Sequence, residues 1–333
     1  MNRIEIRSNC FTLIRYIMAL TVIVWHSHRD IGISDFVVFR YFACVPVFFF
    51  ISGFLTSASL NKNRYSLKDY LYKRFLRIYP ELWISVFLCA AVILIQFPYL
   101  LTKFQYYLWL FGQSTIFQFW TPDLLRFYGN GTPNGSLWTI PVNIQFYLLV
   151  YYLYPGIRKL NVKQDMTILL LSIALNSMLS LCEVYLPEIV YKLIWETLLP
   201  YIYMFYMGII FYKYFDQIVS FLTRNFYVVA AIYVLECFNS SFFNFVPHTS
   251  NTAAPIHVLV NCVFWFSFAY KFRQLNIKKD YSYGIYVLNM IFLNLFVHNG
   301  ILINRYATFV LILIMTVLAA VLSDRIARKL FHY

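Results

Sequence analysis

Apolar runs long enough to cross a bilayer recur from Phe11 to Val321, separated by short polar or basic connections. A span needs about 20 apolar residues as helix. Lipid offers no partner for an exposed peptide group, so only helices or a closed barrel can hold such runs. The alternating apolar and polar dyads of a barrel strand are missing. With 61% hydrophobic and 12% charged residues and a mean hydropathy of +0.64, the chain also lacks the polar surface of a soluble globule, whose apolar share is about 45–50%. The expected fold is all-α, a polytopic membrane helical bundle forming a single domain over residues 1–333.

Ten spans are expected, near 11–28, 37–58, 81–100, 138–155, 166–186, 193–212, 226–243, 255–270, 281–298 and 305–322. With both termini cytoplasmic, the basic clusters Arg3/Arg7, Arg64/Lys68, Lys73/Arg74/Arg77, Arg158/Lys159/Lys163, Lys278/Lys279 and Arg325/Arg328/Lys329 share one side. The other side keeps Arg29, Arg40, Lys103, Arg126, Lys192 and Arg305. That asymmetry is the positive-inside bias, and it assigns the net charge of +13 to topology and the lipid bilayer rather than to nucleic acid. Residues 104–120 are aromatic but interrupted by Gln105, Gly112, Gln113, Ser114 and Gln118. Counting them as a span would reverse every later loop, so a re-entrant or interface-lying segment is expected there. The first run exceeds a cleavable signal's apolar core and is expected to remain as an anchor. Six scattered cysteines lack metal or redox spacing and read as free packing residues; no metal site is expected.

The first span carries Arg15 and His26 in otherwise apolar surroundings. Eleven residues return a helix to within roughly 20° of the same face, about 16 Å along its axis. Ionisable groups inside lipid face a protein-lined or wet cavity and mark functional pathways. His26 suits general-base chemistry near neutrality, and Asp30, one turn on, is placed to orient it. The plainer alternative is an interfacial imidazole bonded to a backbone carbonyl. Between the second and third spans, Arg74 and Arg77 share a helix face and suit phosphate recognition; the alternative is a topology-setting basic loop on anionic lipid. Pro80 is expected in the first turn of the third span, Pro46 to free a carbonyl near Phe42, and Ser52-Gly53 to permit close helix approach. The segment from Asn130 to Trp138 reads as a polar lip over a cavity leading into the fourth span. Its two Asn-Gly-Thr/Ser triplets also match a glycosylation acceptor.

Together these stretches resemble the acyltransferase-3 family of membrane O-acyltransferases. The resemblance rests on Arg15 with His26, the run from Pro46 to Phe54, Arg74-Phe-Leu-Arg-Ile-Tyr-Pro80, Gly135-Ser-Leu-Trp-Thr-Ile-Pro-Val-Asn-Ile-Gln-Phe-Tyr147 and Asp280-Tyr-Ser-Tyr-Gly-Ile-Tyr286. It implies a ten-helix enzyme with His26 catalytic, assisted here by Asp30. Arg15, Arg74 and Arg77 would bind the donor, acetyl-CoA, with no permanently held cofactor. Ser136, Trp138 and Asn143 would face the acceptor, a polysaccharide or lipid-linked glycan of O-antigen or capsule type, at a bacterial inner membrane. Two positions depart from the pattern: Asn143 stands where a glutamate is usual, and Asn289 where a histidine is common. No fused esterase-like domain is expected after the last span. Two rivals remain at this stage, a glycolipid transporter or flippase, and an acyltransferase-like protein that binds without catalysis.

Overall fold

The computed structural model describes residues 5–34, 37–62, 66–242, 254–301 and 304–331. Arg3, Arg64 and the last residue of the 226–243 span lie outside them. The protein is all-helical, 82% helix with no strands among the described residues. Its α-helices are α1 Phe11–Ile31, α2 Val37–Arg40, α3 Cys44–Lys62, α4 Leu67–Gln96, α5 Phe104–Ser114, α6 Thr139–Ile157, α7 Val162–Leu181, α8 Glu188–Trp195, α9 Ile202–Lys213, α10 Phe215–Arg224, α11 Phe226–Phe242, α12 Pro255–Lys271, α13 Ser282–His298 and α14 Arg305–Phe331. Four helical stretches are long and apolar enough to cross a membrane: Cys44–Asn61, Leu67–Gln96, Val162–Val184 and Arg305–Phe331. Two bent pairs, α8 with Leu199–Lys213 and α10 with Phe226–Asn239, raise the number to six if each counts as one broken span.

Several local expectations change. The basic connection ahead of Pro80 is not a loop: α4 runs unbroken through it, with Pro80 in its interior. Proline costs that helix one backbone hydrogen bond, which the long helical sequence on both sides outweighs. The second expected span is broken between Arg40 and Cys44, so Pro46 falls in the first turn of α3, where its missing N–H orphans nothing. At 11 residues α5 is about 16 Å long, too short to cross a bilayer. Two of the glutamines that interrupt this stretch close the turn behind α5. Gln113 donates to the carbonyls of Gln118 and Trp120, and Gln118 donates back to those of Gln113 and Thr115.

The chain forms two compact units. The first, Met1–Met18, Tyr41–Leu67 and Val142–Lys279, has an aromatic core. The buried Phe54 ring meets Phe11 at 5.6 Å and Phe266 at 5.5 Å, and Phe146 stacks on Phe205 at 4.3 Å. Here α3 and α9 approach through Gly53 and Gly208. A Cβ on either would stand 2.1 Å from a backbone carbonyl of the other helix, at Phe205 or Phe50. An Asn161–Gln164 capping box starts α7. One turn on, the buried Asp165 accepts from Lys213, Tyr206 and Tyr214, each at 2.7 Å. Lys213 also donates to the Ile157 and Leu160 carbonyls at the end of α6. Burial, and then the adjacent carboxylate, push the Tyr214 phenol up to about 12, so it stays a donor at neutral pH. Asp165→Ala would leave the Lys213 ammonium its two carbonyl acceptors but no counter-charge, and a loss of about 3–5 kcal/mol is expected. Thermal unfolding in detergent measures it; an unchanged midpoint would show that this cluster is not a staple.

The second unit, Ala19–Arg40, Lys68–Pro141 and Asp280–Tyr333, packs α13 against α4 and α14. Ser85 donates to the Val287 carbonyl at 2.7 Å and Tyr283 to that of Ile78 at 3.1 Å. Gly284 lies against Glu81 and Ala320.

Candidate active site

Helix α1 begins after Asn9, whose side-chain oxygen accepts the Phe11 N–H at 3.0 Å, and ends where Gly32 N donates to the His28 carbonyl. A mostly apolar stretch that carries Arg15 and a polar end that carries His26 lie on one uninterrupted helix. Arg15 sits half-buried near its start and donates to Thr12 Oγ1 at 3.4 Å. His26 is half-buried in the last three turns, between Trp25, which donates to the Phe39 carbonyl, and the fully buried Ser27.

Asp30 has a buried side chain, 6% exposed, although it stands at the helix end. Arg29 Nε and Nη2 donate to its two oxygens at 2.6 and 3.0 Å, and Asn130 Nδ2 donates to Oδ2 at 2.8 Å. Among the described residues its hydrogen bonds go to Arg29 and Asn130 rather than to His26. Asp30 therefore stands one helical turn from the imidazole, with its bonds directed elsewhere.

The segment leading to α6 is bound to α13. Asn294, fully buried, accepts the Asn130 N–H at 3.0 Å and donates to the carbonyls of Thr132 and Pro133 at 2.9 and 3.0 Å. Asn134 donates to the Val287 carbonyl at 2.8 Å. Asn134 is itself buried, which leaves no access for glycosylation there. Ser136 is buried and accepts from Asn289 Nδ2 at 3.2 Å, so this buried amide on α13 pins the segment. Thr139 and Tyr286 share a hydrogen bond at 3.0 Å. Trp138 is half-buried.

On α4, Arg74 lies 5.2 Å from the centre of the Tyr70 ring, a cation–π contact. Arg77 donates to Asp280 Oδ2 at 3.0 Å while 46% of its side chain stays exposed. Asp280 also accepts from Ser282 N and Oγ at the start of α13. A phosphate arriving at Arg77 must compete with that carboxylate. His26, Asp30, Arg74, Arg77, Ser136 and Trp138 all belong to the second unit, whereas Arg15 and Asn143 belong to the first. Asn143 accepts from Ser52 Oγ at 3.2 Å, and Ser52 and Tyr147 share a second bond of 3.2 Å. Sequence reasoning placed Asn130 in the polar lip without its link to Asp30, and missed Asn294. The available signal for Asn294 was a second asparagine, after Asn289, in the otherwise apolar run from Tyr286 to Val297.

Bilayer-length helices, a first helix with an imidazole and a carboxylate one turn apart near its end, and a helix-borne arginine pair define a membrane-embedded protein with acid–base capacity. Residues 8–325 match the acyltransferase-3 family, described as an acyltransferase domain, and the chain belongs to that family. It is similar to nodulation protein 10 of Rhizobium leguminosarum bv. viciae, 29% identical over 156 residues, 42% of each chain. It is also similar to the O-acetyl transferase of Shigella phage Sf6, 29% identical over 188 residues, which covers 53% of this chain and 54% of the relative. The chain thus spans about half the length of these relatives. No solved structure matches it.

Proposed function

We propose that this protein is an O-acetyltransferase of a bacterial inner membrane, with ten spans and cytoplasmic termini. It moves an acetyl group from cytoplasmic acetyl-CoA to a sugar hydroxyl of an extracytoplasmic or lipid-linked polysaccharide. Family membership over residues 8–325 is the observation that carries this reading, and the relative named O-acetyl transferase supports it. Arg15, Arg74 and Arg77 neutralise the donor phosphates. His26 removes the proton of the acceptor hydroxyl as that oxygen attacks the thioester carbonyl. The C–S bond breaks and the thiolate leaves, with one proton passing from alcohol to thiol overall. Ser136, Trp138 and Asn143 face the acceptor.

Membranes containing the protein, given labelled acetyl-CoA and cell-envelope glycan, are expected to form alkali-labile acetyl esters on the glycan. Membranes lacking it are expected to form none. Movement of glycolipid across the bilayer without any ester would replace this reading with a transporter.

A further inference from the structure

We propose that Asn294 and Asn130 are positioning residues for the acid–base end of α1: Asn294 fixes the strap of residues 129–134, and Asn130 uses that anchorage to hold the Asp30 carboxylate one turn from His26. The inference rests on the reading of His26 as the base.

The strap is determined from the α13 side. Asn294 commits its oxygen to Asn130 N and its amide nitrogen to two successive carbonyls, so one buried side chain ties down Asn130, Thr132 and Pro133. Gly129 enters the strap at φ +60°, and a Cβ there would stand 2.2 Å from Asn294 Oδ1. Only glycine combines that backbone with so close an approach. Gly129 N also points at His298 Nδ1, 3.5 Å away. Within the strap, Asn130 Oδ1 accepts from Thr132 N at 3.2 Å, which turns its Nδ2 toward Asp30 Oδ2.

Asp30 has two kinds of partner, and they differ in what they can fix. Arg29 is 58% exposed and shares α1 with Asp30, so its pair is a solvent-screened contact that moves with the helix. Asn130 comes from another element and is anchored by a fully buried residue. It therefore decides where the carboxylate rests relative to His26. Arg29 and Asp30, three and four residues on along α1, are charged groups one turn from His26. A held carboxylate stabilises the imidazolium formed when the acceptor proton is taken up.

The test compares wild type, Asn130→Ala, Asn130→Asp and His26→Ala in membranes, with kcat, KM for acetyl-CoA and the pH profile as readouts. Asn130 is exposed, so these variants are expected to fold. Asn130→Ala lets Asp30 swing outward. A fall in kcat on the order of tenfold to a hundredfold is expected, with KM for acetyl-CoA unchanged. With the negative charge withdrawn, His26 loses its proton more easily, so the acid limb of the profile moves to lower pH. Asn130→Asp adds a negative charge beside Asp30, and its acid limb is expected to move to higher pH. The added charge acts whatever the strap does, so Asn130→Ala is the deciding variant: a purely structural strap leaves its acid limb where the wild type has it. An Asn130→Ala profile and kcat superimposable on wild type, beside an inactive His26→Ala, overturn the strap proposal alone. A fully active His26→Ala overturns the base assignment and the strap proposal together.

Discussion

His26→Ala protein that inserts at wild-type levels is expected to lose acetyl transfer by about 10²–10⁴-fold, the range that a positioned general base supplies. The argument is physical as well as familial. A sugar hydroxyl is a poor nucleophile near neutrality until a base takes its proton, and an imidazole is the side chain whose ordinary pKa suits that exchange. His26 is half-buried on a helix that is fixed at both ends. At the start Asn9 caps it; at the far end Gly32 stops it and passes its own carbonyl to Arg305, 3.1 Å away. His28, two residues on, is already engaged through Nδ1 with the Ile33 carbonyl at 2.7 Å and is exposed. It is therefore a poor substitute, and His28→Ala is the control expected to keep activity. Labelled acetyl incorporation, normalised to inserted protein, measures both. A His26→Ala protein with wild-type incorporation would remove the base from the proposal.

Gly208→Leu is expected to remove most folded protein from the membrane, and Gly208→Ala to reduce it. At Gly208 an added Cβ meets the Phe50 carbonyl oxygen at 2.1 Å and Phe54 N at 2.7 Å. Neither neighbour is the movable end of a side chain, so the helices themselves must separate. Separation opens the contacts around Phe50, Phe54 and Phe205, all of them buried. In lipid, helix association depends on such packing rather than on expulsion of water. Overpacking of a core costs about 1–3 kcal/mol and occasionally more; with backbone as the obstacle the upper end is expected, a large fraction of a stability of roughly 5–15 kcal/mol. The monodisperse fraction after detergent extraction reads the effect. Gly53→Leu, which meets the Phe205 carbonyl from the other side, is expected to behave alike. Normal yields for both would mean that α3 and α9 part at little cost.

The helical class was legible because apolar runs of bilayer length leave the backbone few choices. Close packing at Gly53 was legible in part: the Ser52-Gly53 pair announced a small-residue contact, but its partner Gly208 lies 155 positions later and carries no local mark. The reading failed where a local rule met a longer context. Pro80 reads as a helix start, yet α4 passes through it, since helix-forming residues flank it on both sides. At the site, the sequence singled out His26, Asp30, Arg74 and Arg77 by residue type and spacing. It did not reveal that Arg77 rests on Asp280, or that Asn130 is the partner Asp30 takes from outside its helix.

The sequence by itself determined that the chain is helical and built for a bilayer, and which helix carries the imidazole, because both follow from the spacing of apolar and ionisable residues along a single segment. Only the tertiary structure decided how those groups are held. Asn294 reaches Asn130 across 164 positions, and Arg77 reaches Asp280 across 203. Such bonds are set by which helices come to lie side by side, a property of packing that no periodicity along one segment encodes.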